Sequence, residues 1–388
     1  MPEGSAEINF EEIRPYRDEE VAGVIQRILE DREFLDTMAG MKFPRLCHLF
    51  PWLVRPLIAR VLRRELGPVT DVRQLQELIG TQLQALLDRL GNSLTVIGAD
   101  ALDSGQSYLF FGNHRDIAMD PAMVNLALHK RGLDTVRIAI GDNLLSKPFV
   151  SDLMRLNKSF IVKRSATGRR EKLAALQELS AYIHHSLFRD GQSIWIAQRE
   201  GRAKDGIDST ETALLKMLVL NKPKRQSFGE ALAELPLIPV SISYEWDPCD
   251  ALKAREIHGL RTQGRYVKAQ HEDIHSIYRG IVGDKGHIVV AFAGSLPGPF
   301  ADAGEAAEYI DRRILLNYRL QASHLLAYEQ LFGSSAALDV HKQLLGDIDW
   351  AAKRAGLQER LSPLPEPQQK ILLEAYANPV CRRLALGD

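Results

Sequence analysis

The chain has 388 residues, 45% of them hydrophobic, and its 49 Lys and Arg nearly balance its 50 Asp and Glu, leaving a formal net charge of -1. That composition supports a large buried core in two or three structural units, excludes wholesale disorder, and gives no reason to expect nucleic acid as a partner. Its three cysteines, Cys47, Cys249 and Cys381, have no C-x-x-C spacing, which argues against a disulfide framework or a cysteine zinc site and fits a reducing, cytoplasmic compartment.

The first twenty residues, "MPEGSAEINFEEIRPYRDEE", are acidic and have no apolar h-region, so no secretory signal is expected there. No run reaches roughly 18 uninterrupted apolar residues, so no transmembrane helix is expected either. Residues 1–40 carry 11 acidic and 4 basic side chains, and residues 41–65 carry 6 basic and 1 acidic. The sign reverses at a segment in which Pro56 suits a helix N1 position. Leu57, Ile58, Val61 and Leu62 then share one face and Arg60, Arg63 and Arg64 another. With Phe50, Trp52 and Leu53 just before it, the segment reads either as an interfacial helix on a membrane surface or as a packed helix with a solvated basic face. Residues 1–90 are therefore taken as a helical N-terminal region.

From about Ser93 to residue 300 short apolar runs alternate with helical periods, the pattern of an α/β domain. Strands are expected at "LTVIG", "YLFFG", "TVRIAI", "SFIV", "SIWIA", "LIPVSI" and "HIVVAF". Between the fourth and fifth, Leu173, Leu176, Ile183 and Leu187 recur at helical spacing, and "RDG" supplies a basic last turn and a stopping glycine. Residues 301–388 read as a helical C-terminal region. Its strongest period is "EYIDRRILLNYRLQASHLLAYEQL", and "LSPLPEP" breaks the chain before a final helix.

The densest chemistry follows the second strand, in "NHRDIAMDPAM", Asn113–Met123. Asp120 is placed to N-cap a helix with Pro121 at N1. Ligands meet reactive side chains at such strand ends, and a histidine there is a natural general base. A neighbouring carboxylate, Asp116 or Asp120, would fix its tautomer. A protein-kinase reading of "HRD" fails, because the asparagine expected five residues after the aspartate is Pro121 and no glycine-rich loop or "DFG" completes the set.

Three later stretches join this one: "KSFIVKR" (Lys158–Arg164), "IWIAQREGRAKDG" (Ile194–Gly206) and "LIPVSISYE" (Leu237–Glu245). Together and in this order they resemble the four blocks of the glycerolipid acyltransferase family, which includes the glycerol-3-phosphate and lysophosphatidic acid acyltransferases. The resemblance implies a mixed central sheet flanked by helices, with His114 as general base and Asp120 as its orienting partner. It implies Arg164 from block two and Glu200, Gly201 and Arg202 from block three as substrate-binding residues, and matches Pro239 to block four. The implied reaction moves a fatty acyl group from an acyl-CoA or acyl carrier protein thioester to a phosphorylated glycerol or lysophospholipid acceptor. It uses no metal or cofactor and takes place at a membrane surface. A hydroxyl that must lose its proton needs a base, and a phosphate-bearing acceptor needs cations, for which arginine's fork suits better than lysine. The chain departs from the family's blocks in three places. Five residues, not four, separate His114 from Asp120. Lys158 stands where block two has glycine, and "QREGRAKDG" replaces the "FP" and threonine of block three.

One motif competes. "HEDIH", His271–His275, matches H-E-x-x-H, a zinc hydrolase signature in which Glu272 activates a metal-bound water. No glutamate follows before Glu305, so a third ligand is not evident, and Val267, His271, Ile274, Tyr278 and Ile281 also form an ordinary packing face. A third class, a non-catalytic membrane-binding protein on an acyltransferase scaffold, would bind lipid without transferring acyl groups.

Overall fold

All seven apolar runs form strands in the computed structural model, which describes residues 9–43, 51–145, 147–269 and 272–387. They are β1 Ser93–Ile97, β2 Leu109–Gly112, β3 Arg137–Gly141, β4 Ser159–Val162, β5 Ile194–Ala197, β6 Leu237–Tyr244 and β7 His287–Phe292. These strands hydrogen-bond in the order β1-β7-β6-β2-β5-β3-β4. β2 runs parallel to β6 with Phe111 opposite Pro239, and β6 runs antiparallel to β7 with Ile242 opposite Val290, so the sheet is mixed. β2 and β6 are buried along their whole length, which is why they read as continuous apolar runs, whereas the edge strand β1 alternates. The β7 ladder begins at Val240, one residue past Pro239, which has no N–H to give it.

The helices flank this sheet. Before β1 come α1 Asp18–Glu30, α2 Arg32–Lys42, α3 Pro51–Leu66 and α4 Val72–Arg89. Among the strands lie α5 Met119–His129, α6 Pro148–Leu156, α7 Arg169–Phe188, α8 Thr212–Leu218, α9 Phe228–Ala233, α10 Asp250–Gln263 and α11 Glu272–Val282. After β7 follow α12 Ala303–Asn317, α13 Ala322–Phe332, α14 Ala336–Gln343, α15 Trp350–Leu361 and α16 Glu366–Ala385.

Several local expectations shift. α3 begins at Pro51, so Pro56 lies inside the helix rather than at N1. Its buried side is Val54, Ile58 and Ala59, and Leu57 instead faces solvent beside Arg60 and Arg64. α7 is buried only from Leu179 onward, leaving Leu173 and Leu176 exposed. The long C-terminal period is two helices: Tyr318–Gln321 is extended, because Tyr318 and Leu320 turn into the core and Gln321 starts α13.

The chain divides into two compact units, residues 1–82 with 135–194 and residues 83–134 with 195–388. In the first, Val24, Ile28, Phe34 and Ile58 of α1–α3 pack on Phe149 and Leu156 of α6. There Asp152 accepts from Tyr16 Oη at 2.6 Å and Arg27 Nε at 2.8 Å. In the second, Trp246, Leu326, Leu357, Leu361, Ile371 and Tyr376 form a core that joins α10, α13, α15 and α16.

His324, on α13 in the second unit, is buried, and its Nδ1 accepts the Gln321 N–H at 2.8 Å. Its proton therefore sits on Nε2, which lies 3.2 Å from Tyr318 Oη and donates to it. Burial, reinforced by the positive charge of Arg115, pushes its pKa from 6.5 down to about 3. Between those values the unfolded chain binds the extra proton, so stability from this group is complete above pH 6.5 and falls as the pH drops toward 3. Its slope approaches about 1.4 kcal/mol per pH unit. His324→Gln is expected to flatten the acid limb of a stability-against-pH curve measured by urea unfolding; an unchanged limb between pH 6 and 4 contradicts this role.

Candidate active site

β2 ends at Gly112, where a Cβ would stand 2.9 Å from Trp195 Nε1 and 3.4 Å from Val240 O, so only glycine lets the three strands close at this point. Asn113 follows, fully buried. Its Oδ1 accepts the Ile242 N–H at 2.8 Å and its Nδ2 donates to Ile242 O at 3.0 Å, clamping the strand end to β6. The next residue, His114, is therefore delivered from a fixed base.

His114 Nδ1 lies 2.8 Å from Asp120 Oδ2. The same oxygen accepts the backbone N–H of Arg115 at 2.6 Å and of Asp116 at 2.9 Å, while Oδ1 accepts Tyr244 Oη–H at 2.8 Å. An oxygen already taking two N–H groups acts as an acceptor, so His114 donates from Nδ1 and leaves Nε2 with a free lone pair. The His114 side chain retains 15% exposure while Asp120 has none. Trp195 stands edge-on to the imidazole, 5.7 Å between ring centroids.

Asp116 does a different job. Its Oδ1 accepts the N–H groups of Ala118 at 3.0 Å and Met119 at 2.9 Å, capping α5. The expectation that Asp120 is the cap is corrected: α5 starts at Met119, and Asp120 sits inside its first turn, facing His114. The extra residue between His114 and Asp120 is thus taken up by a turn that Asp116 closes. Burial, then the nearby Asp120 charge, raises the Asp116 pKa.

The loop after β5 runs past the same strand end. Gln198 N–H donates to Gly112 O at 2.8 Å, and Ala203 N–H donates to His114 O at 2.8 Å. Glu200 and Gly201 are exposed on this loop, with Gly201 at φ +74°. Arg202 is half-buried, and its Nη1 is buried with no hydrogen-bond partner. Lys204 is paired with Glu256 and Lys163 with Glu12 and Glu178, so both lysines are committed to carboxylates. Arg164 lies in the other unit, exposed, where its N–H donates to Asp142 Oδ1 at 3.1 Å. His114, Asp120 and the Glu200–Arg202 loop are brought together within one unit.

Residues not singled out from the sequence complete the surroundings. Arg115 reaches Asp208 Oδ2 at 2.6 Å, and Lys253 Nζ donates to Arg115 O at 2.7 Å and to Asp247. Burial opposes ionisation of Asp247, but Lys253 outweighs it and holds the carboxyl below its ordinary range. A cavity of about 40 Å³ lies among Arg115, Lys253, Asp247, Tyr318, His324 and Tyr376, large enough for a water molecule. Asn113 was legible as part of the quoted stretch. Asp208, Tyr244 and Lys253 carry no spacing signal, because only the tertiary fold brings them to His114.

The competing zinc motif fares poorly where it is described. His271 lies outside the described residues. Glu272 is buried and accepts Tyr266 Oη–H at 2.8 Å and Ala269 N–H at 3.1 Å, while His275 is exposed. The face of α11 turned inward is Glu272, Ser276 and Gly280, not the apolar set expected from spacing. Among the described residues no group of three or more His, Cys, Asp or Glu is placed to hold a metal ion.

Residues 93–243 match the family model described as acyltransferase. No curated protein matches the sequence. Among solved structures, the chain is similar to the crystal structure of the 1-acyl-sn-glycerophosphate (LPA) acyltransferase PlsC from Thermotoga maritima, at 15% identity and a TM-score of 0.38. That likeness covers 73% of this chain and 95% of the other. The matched segment runs from β1 to the penultimate residue of β6 and contains all six residues implied for the site.

Removing the Asp120 carboxylate would strand two backbone donors, a tyrosine hydroxyl and the His114 N–H. Asp120→Ala is expected to lower unfolding stability by about 3–5 kcal/mol, while Asp120→Asn, which can turn its oxygen toward the N–H groups and its NH₂ toward Tyr244 Oη, costs far less. Equal losses for the two variants in chemical denaturation would show that the carboxylate site does not organise the loop.

Proposed function

From the match of residues 93–243 to the acyltransferase family model, we propose that the protein is an O-acyltransferase of glycerolipid synthesis. It moves a fatty acyl group from an acyl-CoA or acyl carrier protein thioester to the hydroxyl of a glycerol-3-phosphate-type or lysophospholipid acceptor. The observation that carries this reading is the His114–Asp120 pair, with its Nδ1-protonated imidazole and free Nε2, beside a loop bearing an arginine whose buried nitrogen lacks a partner.

In this reaction His114 Nε2 takes the acceptor's hydroxyl proton as the oxygen attacks the thioester carbonyl. Asp120 stabilises the imidazolium that forms. Collapse of the tetrahedral intermediate breaks the C–S bond, and the imidazolium returns the proton to the departing thiolate, giving an ester and a free thiol. Arg202 binds the acceptor's phosphate: an unsatisfied buried guanidinium nitrogen is costly unless an anion or water completes it. The resemblance gives Arg164 a substrate-binding role by its block-two position, Glu200 orders its own loop, and Gly201 supplies that loop's left-handed turn. No cofactor or metal takes part.

The substrates are amphiphiles, and we place the enzyme peripherally on the cytoplasmic side of a membrane. Among the described residues no helix is long and apolar enough to cross one. The solvent side of α3 carries Trp52 and Leu57, 67% and 54% exposed, with Arg60, Arg63 and Arg64, a combination suited to an anionic lipid surface.

The test is transfer of labelled acyl groups from acyl-CoA and acyl carrier protein to phosphorylated acceptors. His114→Ala is expected to lower kcat by about 10²- to 10⁴-fold. Full transfer by His114→Ala sinks the mechanism, and lipid binding without transfer by the wild type would favour a non-catalytic scaffold. Replacing Arg60, Arg63 and Arg64 with Gln is expected to release the protein from anionic vesicles in a sedimentation assay, at about 1 kcal/mol per charge; undiminished sedimentation removes α3 from the membrane contact.

A further inference from the structure

The proposed reaction uses an arginine on one loop and a histidine on another, and something must fix the distance between them. We propose that Arg115 is a positioning residue which, through Asp208 and Gly206, sets the pose of the Glu200–Arg202 loop against His114. This inference rests on the acyl-transfer reading above.

Residue 115 is connected on both sides. Its backbone N–H donates to Asp120 Oδ2, the oxygen that also holds His114, and its carbonyl accepts Lys253 Nζ. Its side chain leaves in the other direction: Nη2 donates to Asp208 Oδ2 at 2.6 Å and to Gly206 O at 3.1 Å, while the guanidinium lies over the Tyr318 ring, 5.2 Å from its centroid. Asp208 Oδ2 also accepts Asn113 Nδ2 at 3.3 Å, so the loop after β5 is tied to the residues on both sides of His114. The Asp208 charge is the largest influence that keeps Arg115 protonated against its burial.

The far side of that loop is held by helices beyond the matched family segment. Asn378 Nδ2 donates to Asp205 O at 2.8 Å, Arg382 donates to Asp208 O, and Thr210 Oγ donates to Asp311 Oδ1 at 2.7 Å. Gly206, at φ +77°, lies so close to α16 that a Cβ would stand 1.9 Å from Ala375 O. The loop is thus pressed between α16 and Arg115. Both contacts leave one nitrogen, Nη2, whose hydrogens lie in the guanidinium plane held over Tyr318; a lysine has three donors but neither that plane nor that fixed direction, so it is expected to hold the pair less firmly.

A positioning role and a merely structural one differ in kinetics. Loss of folded enzyme lowers apparent kcat and leaves both KM values alone. A displaced Arg202 weakens the phosphorylated acceptor and spares the acyl donor. Full-length Arg115→Lys and Asp208→Asn, the second nearly isosteric and so the safer variant for folding, are assayed with their double variant and with His114→Ala. Thermal melts establish that each is folded at the assay temperature. Each single variant is expected to raise the acceptor KM about tenfold with donor KM within about twofold, and the double to lie within about twofold of the worse single, as for residues acting through one link. An unchanged acceptor KM in the folded Asp208→Asn variant, a fall in kcat alone, or multiplicative effects in the double overturns the inference. Transfer surviving in His114→Ala overturns the acyl-transfer mechanism instead, so the two failures are distinguishable.

Discussion

The Asp120 carboxylate is withdrawn from solvent and takes four donors: the imidazole of His114, the N–H groups of Arg115 and Asp116, and the hydroxyl of Tyr244. An ionised group in such a place is tolerated only when hydrogen bonds replace the water it has lost, and each such bond to a charge is worth about 1.5–3 kcal/mol. Here the compensation comes from the backbone of the turn that carries His114 and from the last residue of β6. The position of the imidazole, the shape of the turn and the closing of β2 on β6 are consequently one event.

The surrounding charge follows from that choice. Burying one carboxylate beside a second, Asp116, raises the pKa of the latter and of Tyr244, in each case by burial first and by Asp120 second. Cations stand beside them: Lys253, from α10, pairs with Asp247, and Arg115, from the turn itself, pairs with Asp208. Such pairs rarely add much net stability over an apolar core, but leaving either partner alone is costly, and this makes the arrangement specific rather than merely stable.

The sheet was legible in the sequence because buried strands write themselves as apolar runs, and "YLFFG" and "LIPVSI" are buried throughout. The site was legible in part for the same reason: a strand that stops in "NHRD" announces polar side chains at the strand's end. What misled was local direction. Spacing alone made Asp120 the cap and left the histidine's partner open between Asp116 and Asp120; Asp116 takes the helix start and Asp120, the partner the resemblance implied, faces His114, since a one-residue shift at the start of a helix swings a side chain by about 100°. Leu173 and Leu176 share their helical spacing with Ile183 and Leu187 yet stay exposed, and Leu57 parts from Ile58, because amphipathic spacing says which residues share a face, not whether anything covers it. Asp208 and Lys253 lie about 90 to 140 residues from His114 and outside every quoted stretch, and Tyr244, though inside "LIPVSISYE", gives no sign of its partner; their meaning exists only once β2, β5 and β6 are side by side.

The family match ends at residue 243, yet a further 145 residues follow, and their contacts argue against treating them as an appendage. Tyr318, just past the end of α12, and His324 and Tyr376 of later helices line the cavity beside Arg115 and Asp247. His324 is held neutral there by burial and by the adjacent guanidinium, so it adds a hydrogen bond without a second positive charge. The same helices fasten the loop that carries Arg202 at Asp205 and Asp208. The His114 turn, that loop and the C-terminal helices accordingly belong to one compact unit, in which the pose of the loop and the packing of the helices are set together.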